Sequence, residues 1–318
     1  MADSTGEMTE LRPADAEGIA RAVALLASGA VVAIPTETVY GLAADASNGE
    51  AVARIYAAKG RPSFNPLIVH VADRAMAERY APFSPLAEKL AKAFWPGPLT
   101  MVLPLKPGAP VSALVTAGLQ TIALRQPAHP AMQAVLQALG RGVAAPSANA
   151  SGRLSPTRAE HVLASLSGRV PLVLDAGPSS AGIESSIVGL ADDRPRLLRQ
   201  GAISREALEE VLGQPLELAA DSDAIAAPGM LLNHYAPRLP IRLNATSAQG
   251  DEFHIGFGPI AGDESLSAAG DAVEAAARLF DLLHRADESG RAAIAVAPIP
   301  AAGLGAAIND RLKRAAAG

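Results

Sequence analysis

The stretch that decides the fold is ADAEGIARAVALLASGAVVAIP, residues 14–35, near the beginning of the chain. Residues 14–28 repeat apolar side chains at helical spacing, with Asp15 where a helix would begin and Gly29 where it would stop. AVVAIP is a short β-branched apolar run, which predicts a buried strand. A helix followed at once by a buried strand is typical of folds in which helices cover a sheet.

The mixture of helical and strand patterns continues outward from this stretch as far as residue 213. PTETVYGLAAD (35–45) is interpreted as a loop. Further helices are predicted at 48–59 (N-cap Asn48), 157–166 (N-cap Thr157) and 204–213, closed by Gly213, and one or two helices are predicted within 73–94. Further strands are predicted within LIVHV (67–71), WPGPLTMVLPL (95–105), TIALRQP (121–127), RGVAAPSANASG (141–152), VPLVLDAGPSS (170–180), and in the paired runs SSIVGL (185–190) and RLLRQG (196–201). Because strands and helices do not alternate strictly, a twisted mixed sheet with outer helices fits better than a barrel.

The last third of the chain begins with a proline-rich segment and then repeats the α/β pattern. Strands are predicted within 241–245, 253–258 and 292–300, and helices at 271–285 and 301–314. We therefore expect two α/β domains, at 12–214 and 241–318, joined by a linker at 215–240.

Composition sets limits on the class of protein. A length of 318 residues suggests two domains, and a hydrophobic content of 49% is enough for a sizeable core. The net charge of −5 argues against a broad nucleic-acid-binding surface. The absence of cysteine excludes a disulfide framework, a thiol nucleophile and a cysteine-type zinc site. The polar N-terminus lacks a signal peptide pattern, and no apolar run is long enough to span a membrane, so we expect a cytoplasmic protein.

Two motifs predict a site for a phosphorylated ligand. In Lys59-Gly60-Arg61-Pro62, two cations flank a glycine that lets the backbone approach a polyphosphate. In 146–152, PSANASG, small hydroxyl and amide side chains follow an apolar strand, where they suit phosphate and ribose. Taken alone, the first motif also fits a solvated basic turn, and the second fits an ordinary Ser/Asn turn.

Several single residues at the ends of predicted strands are further candidates for ligand contacts. Thr36 and Ser185 offer hydroxyls for a small polar substrate, or they cap local turns. Arg125 and Arg199 lie in apolar strands, so each either faces an anionic group or is paired structurally. His70 is more often a satisfied core residue in such a setting. The chain has no GxxxxGK[ST], GxGxxG, HExxH or GxSxG motif, so an ATP site would not be of the P-loop kind.

The order of these motifs along the chain is far more specific than any one of them. PTETVYGL, KGRPSFNPLIVHV, FWPGPLT, LRQP, APSANASG, GIESSIV and LLRQG, in this order, resemble the YrdC/YciO-like threonylcarbamoyl-AMP synthase family. The family's KxR and SxN elements correspond to Lys59–Arg61 and Ser147–Asn149. The linker APGMLLNHYAPRLP (227–240) and the domain after it resemble the family's two-domain branch.

The resemblance implies a fold, a reaction and partners. The fold would be a twisted sheet with a concave basic cavity, followed by a smaller Rossmann-like domain. L-Threonine and bicarbonate would give N-carboxylated threonine, which attacks the α-phosphate of ATP to form threonylcarbamoyl-AMP, diphosphate and water. Mg²⁺ would bridge the ATP phosphates without protein ligands. A partner transferase would carry the group to the tRNA adenosine next to the anticodon; contact with tRNA itself would be weak or indirect, and no membrane would be involved.

The resemblance also assigns residues to the two substrates. Threonine would be surrounded by Thr36, His70, Arg125, Ala145 (through its backbone) and Ser185. ATP would be surrounded by Lys59, Arg61, Ser63, Thr121, Ser147, Asn149, Ser155 and Arg199. Tyr235 would close over the nucleotide as part of a lid formed by the linker. Lys59 and Arg61 are the expected catalytic residues, because nucleotidyl transfer depends on alignment and on neutralising growing negative charge.

Three other interpretations compete with the synthase. An RNA-binding module would use the basic cavity without catalysis, but the acidic balance and the lack of Lys/Arg runs argue against it. A carbamoyl-transfer domain of hydrogenase-maturation proteins would bring cysteine-rich zinc fingers, which this chain lacks. A purely structural or regulatory paralogue would be expected to have lost the KxR or SxN element, and both are intact.

Overall fold

A computed structural model describes residues 8–62, 65–192, 194–219 and 234–317. Ser63 and most of the predicted lid, residues 220–233, lie outside this range. The helices are α1 (Ala16–Ala27), α2 (Gly49–Lys59), α3 (Arg74–Ala77), α4 (Pro85–Phe94), α5 (Ala113–Thr116), α6 (Pro130–Leu139), α7 (Ala159–Leu166), α8 (Arg205–Leu212), α9 (Ala272–Asp287) and α10 (Leu304–Ala316).

The strands form two sheets. They are β1 (Glu10–Pro13), β2 (Val32–Ile34), β3 (Gly41–Asp45), β4 (Ile68–His70), β5 (Leu99–Pro104), β6 (Thr121–Arg125), β7 (Val143–Ala144), β8 (Leu172–Asp175), β9 (Ser186–Gly189), β10 (Arg196–Arg199), β11 (Glu217–Leu218), β12 (Ile241–Arg242), β13 (Glu252–Gly256), β14 (Glu264–Ser265) and β15 (Ala293–Val296). The first sheet has the order β1-β8-β2-β3-β7-β4-β6-β5-β9-β10-β11 and contains both parallel and antiparallel pairs. The second has the order β12-β15-β13-β14, and its pairs are all parallel. The predicted mixed sheet and the smaller α/β unit are thus confirmed.

Local signals placed several helix ends correctly. Asp15 caps α1 by accepting a hydrogen bond from the Gly18 amide, and Asn48 caps α2 in the same way from Glu50 and Ala51. Gly213 ends α8 in the left-handed conformation that glycine adopts without a steric penalty. The predicted pairing of β9 with β10 is confirmed as antiparallel.

Other local predictions were wrong, each for a tertiary reason. GLAAD, within the segment predicted as a loop, is strand β3, since it is buried on both faces and so shows no alternation. Thr157 does not cap α7, which begins after Arg158, and its hydroxyl lies instead beside the His161 ring. Strand β1 was not predicted, because its apolar Leu11 is exposed and its polar Glu10 and Arg12 are partly buried, which reverses the usual alternation.

Among the described residues, the two largest hydrophobic cores follow the two sheets. The larger core lies between the first sheet and its helices. The second core packs α9 and α10 on the small sheet, and it also includes Val39, Leu154 and Ile183 from the first unit. The two units therefore share a packed interface. Among the described residues, no helix is long and apolar enough to cross a membrane.

Candidate functional site

A pocket lies on the first sheet where its strands and connecting segments meet the start of the C-terminal unit. It is lined by residues of β3, β4, β6 and β10 and of segments next to β2, β7 and β9. Its lining consists of Thr36, Thr38, Val39, Gly41, Arg61, Ile68, His70, Arg125, Ala145, Pro146, Ser147, Glu184, Ser185, Arg199, His234 and Tyr235. Residues from eight separate stretches of the sequence are therefore brought together.

Lys59 joins the two motifs that were predicted to bind a phosphorylated ligand. Its side chain is buried, and Nζ donates to the backbone carbonyls of Ser147 and Asn149, each at 2.5 Å. The Lys59 carbonyl in turn accepts from the Ser151 amide at 2.8 Å. Burial lowers the pKa of Lys59 well below its ordinary value, and the nearby Arg61 lowers it further. Lys59 therefore fixes the shape of the loop that begins at Ser147.

Arg61 faces the pocket from the end of the same motif. Its Nη2 donates to the carbonyl of Pro66 at 3.2 Å, and within the described part of the chain its Nε has no partner. Burial lowers the pKa of this guanidinium to about 10, which still leaves it charged at neutral pH. A buried cation that lacks a carboxylate partner is costly unless a ligand supplies the negative charge.

Arg125 is held by neighbours of its own. Its Nη2 lies 2.7 Å from a carboxylate oxygen of Glu37, and its Nη1 donates to the Thr38 hydroxyl at 2.8 Å. Burial by itself would raise the pKa of Glu37, but Arg125 outweighs it and the pKa is lowered. Arg125 thus sits in the pocket wall as half of an ion pair, and Glu37 is a neighbour that sequence reasoning missed.

His70 ends β4 beside this ion pair. Burial, together with the charge on Arg125, lowers the pKa of His70 to about 3. The imidazole is therefore neutral at physiological pH. Its Nδ1 has no partner among the described residues, so the ring can bond a polar ligand group.

The hydroxyls predicted to contact the small substrate are fixed by short hydrogen bonds. Thr36 donates to the carbonyl of Val39 at 2.6 Å. The Ser185 hydroxyl lies 2.7 Å from that of Thr100 and accepts from Nη2 of Arg199 at 3.0 Å. These hydrogen bonds hold the hydroxyls in defined orientations, as a selective site requires.

Glu184 and His234 line the pocket and were not predicted. Glu184 accepts from the Ser155 hydroxyl at 2.5 Å and from Nε of Arg311 at 2.9 Å. Burial lowers the pKa of His234 to about 3, so this ring is neutral as well. The only sequence signal for either residue was its position next to a residue that the family pattern names.

Some predicted residues stand behind the pocket rather than in its lining. Asn149 donates through Nδ2 to the carbonyls of Ala150 and Arg153. Ser155 is fully buried, and its hydroxyl donates to Glu184. Thr121 starts β6, at the opposite end of the strand from Arg125. Tyr235 does line the pocket; its backbone has a positive φ of 66°, and its ring packs on Phe280.

The charges around the pocket favour an anionic ligand. Arg61, Arg125 and Arg199 line it together with one carboxylate, that of Glu184. The described residues contain no cluster of three His, Asp or Glu side chains able to hold a metal ion. An anion with several oxygens and a small polar molecule are the ligands that this lining suits.

Comparisons with known proteins agree with this geometry. The Sua5–YciO–YrdC family model, described as "Telomere recombination", matches residues 24–201, and a model described as "Threonylcarbamoyl-AMP synthase, C-terminal domain" matches residues 203–317. The threonylcarbamoyl-AMP synthase of Bacillus subtilis is 43% identical over 94% of this chain and 93% of its own length. That of Pyrococcus abyssi is 39% identical over 92% of each.

Solved structures show the same fold. The crystal structure of P. abyssi Sua5 complexed with L-threonine superposes with a TM-score of 0.89 at 35% identity, covering 97% of this chain and 98% of that one. Escherichia coli YciO, at 23% identity and a TM-score of 0.53, matches 61% of this chain and shares the fold. Two family models that together span most of the chain, and two relatives similar over nearly its whole length, show that the chain belongs to the threonylcarbamoyl-AMP synthase family.

Proposed function

We propose that the pocket joins L-threonine, bicarbonate and ATP into threonylcarbamoyl-AMP, with release of diphosphate and water. One observation supports this most strongly: Arg61 enters the pocket as a buried guanidinium without a carboxylate partner among the described residues. A triphosphate supplies the missing negative charge. The names of the relatives, and the threonine complex of P. abyssi Sua5, support the same chemistry.

The threonine half of the site would lie around His70, Arg125 and Ser185. Arg125 is already paired with Glu37, so a threonine carboxylate would share its guanidinium rather than meet a free one. The neutral His70 ring and the Ser185 hydroxyl would bond the polar groups of the amino acid. A threonine hydroxyl held by such fixed partners is discriminated strongly from analogues that lack it.

The ATP half would lie around Arg61, Arg199 and the loop that begins at Ser147. The carbamate oxygen of N-carboxylated threonine would attack the α-phosphorus, and diphosphate would leave toward the guanidinium groups. We propose that Mg²⁺ comes with the ATP phosphates, where it would neutralise charge.

Carbamate formation needs no general base from the pocket in this scheme. Both oxygens of Glu184 already accept hydrogen bonds, and Arg311 and Arg199 help to lower its pKa although burial opposes them. The carbamate would form from bicarbonate and the threonine amine with loss of water, and the pocket would capture it. We further propose a cytoplasmic enzyme that delivers its adenylate to a tRNA-modifying transferase.

Pyrophosphate release from ATP by the purified protein tests this function. We expect release to require both L-threonine and bicarbonate, and to collapse in Lys59→Ala. Replacing threonine with serine examines the side-chain pocket, and serine should give slower release. A folded wild-type protein that releases no pyrophosphate under any combination would reject the synthase.

A further inference from the structure

The C-terminal unit reaches the back of the pocket through one buried arginine. Arg311, on α10, is 0% exposed, and its Nε donates to Glu184 at 2.9 Å. Its Nη1 pairs with Asp310 at 2.7 Å, and its guanidinium carbon lies 5.3 Å from the centre of the Tyr235 ring. Arg311 does not line the pocket itself, but it contacts two residues that do.

Glu184 connects this arginine to the substrate-facing groups. Its second oxygen accepts from Ser155, so both oxygens are held. The next residue, Ser185, is bonded by Arg199 through both its hydroxyl and its carbonyl, at 3.0 and 3.1 Å. A displacement of Glu184 would therefore move the Ser185–Arg199 arrangement as well.

Close packing fixes the same segment against the C-terminal helix α9. Gly182 has a φ of +68°, and a Cβ atom built there would lie 2.3 Å from the carbonyl oxygen of Ala277. Ile183 is fully buried in the second core. The backbone leading into Glu184 is thus clamped by one unit of the protein while its side chain faces the pocket of the other.

We propose that Arg311 is a positioning residue for the reaction. From the C-terminal unit it holds Glu184, and through Glu184 it sets the positions of Ser185 and Arg199. By this proposal, which rests on the proposed function, the C-terminal unit contributes to catalysis through Arg311. A buried ion pair is weak evidence for stability as such, because replacing both partners with neutral groups is often harmless to folding.

The test compares three variants: Arg311→Met, Glu184→Gln and the two combined. Arg311→Met leaves the Glu184 charge buried without its guanidinium, so we expect the lowest stability there, and the double variant should regain it. The double variant should therefore regain stability without regaining activity. We expect its kcat/KM to be lower than that of the wild type by about tenfold or more, with the KM for threonine or ATP raised. A stable double variant with wild-type KM and kcat would overturn the proposal.

Arg311→Lys covers the case in which the methionine variants do not fold. Lysine keeps the charge but loses the rigid fork, so we expect a folded protein whose KM for threonine or ATP is higher than that of the wild type. Wild-type kinetics in Arg311→Lys, with the methionine variants unfolded, would make the role of Arg311 structural and would overturn positioning.

Arg158→Met is the matched control. Arg158 and Asp281 form another ion pair between the two units, at 2.5 Å, but their side chains are 43% and 19% exposed and neither lines the pocket. We expect wild-type KM and kcat in this variant. A loss of kcat/KM equal to that of the double variant would show that removing any ion pair between the two units has the same effect. That result would contradict a specific role for Arg311.

Wild-type turnover separates the two proposals. A wild-type protein without pyrophosphate release defeats the proposed function, whereas normal wild-type release with unaltered variants defeats only the positioning role. In the first case, calorimetric binding of L-threonine and of ATP to the wild type and to the double variant still decides the positioning question. Equal affinities would overturn it, and weaker binding by the double variant would support it.

Discussion

Lys59 and Arg61 stand two residues apart in one motif, yet the structure uses them differently. Lys59 turns inward and donates to the carbonyls of the loop at Ser147 and Asn149, whereas Arg61 lines the pocket. Both are buried, and neither has a carboxylate partner among the described residues. Lys59 holds the loop that begins at Ser147, whereas Arg61 lines the pocket itself. The two cations of one motif therefore have separate roles.

Removing Lys59 should have the largest effect, because it should lower both the stability of the protein and its activity. In Lys59→Met the two carbonyls lose their donor, which we expect to lower the free energy of unfolding by about 1–3 kcal/mol. Activity should fall on the order of 100-fold or more as the loop shifts. Urea unfolding and pyrophosphate release measure the two effects; a variant with full stability and no activity would show that Lys59 acts directly on the ligand.

Arg61→Gln should lose activity without losing stability. The change removes a buried charge that the described residues do not pair, so the free energy of unfolding should stay the same or rise. We expect kcat/KM for ATP to fall on the order of 100-fold. Parallel kinetics and unfolding curves check this, and a clear drop in stability would contradict the division between the two cations.

Arg61→Lys should have a smaller effect of the same kind. Lysine supplies a point charge but cannot bond a phosphate with two parallel donors. We expect the KM for ATP to rise about tenfold with the KM for threonine unchanged. Steady-state kinetics with each substrate varied in turn distinguish the outcomes, and an equal rise in both KM values would place Arg61 between the two subsites.

The free energy of unfolding should depend on pH in a way that reflects the lowered pKa of Lys59. Because its folded pKa is lowered, the unfolded chain binds more protons in the range between that pKa and the ordinary value of 10.5. The free energy of unfolding should therefore increase with pH in that range, with a slope of at most about 1.4 kcal/mol per pH unit from this group. Unfolding at pH 8, 9 and 10 should show a rise in this free energy that is smaller in Lys59→Met; identical slopes would contradict a buried lysine with a lowered pKa.

The sequence predicted what depends on local chemistry and on motif order. Helix caps at Asp15 and Asn48 follow from side chains that bond the nearest free amides, and the tertiary fold leaves them intact. β3 was missed because a strand buried on both faces shows no alternation. Motif order implied Lys59 and Arg61 together, but nothing local says which one turns inward.

The partners of the site residues were harder to predict than the residues themselves. The sequence analysis left Arg125 open between a ligand and a structural partner, and the fold places Glu37 against it across 88 residues of chain. Arg311 carries no sequence signal, since it lies on an amphipathic helix where a basic residue is ordinarily solvated. Such pairings come from the packing of distant segments, which a single sequence does not display.

The most direct test of the central claim is to follow the carbon of bicarbonate. With ¹³C-bicarbonate, L-threonine and ATP, mass spectrometry of the reaction should detect threonylcarbamoyl-AMP that carries the label, formed together with diphosphate. Lys59→Met should abolish the labelled product. Diphosphate release without any labelled adenylate, from a folded protein and under quenching that preserves the product, would contradict the account.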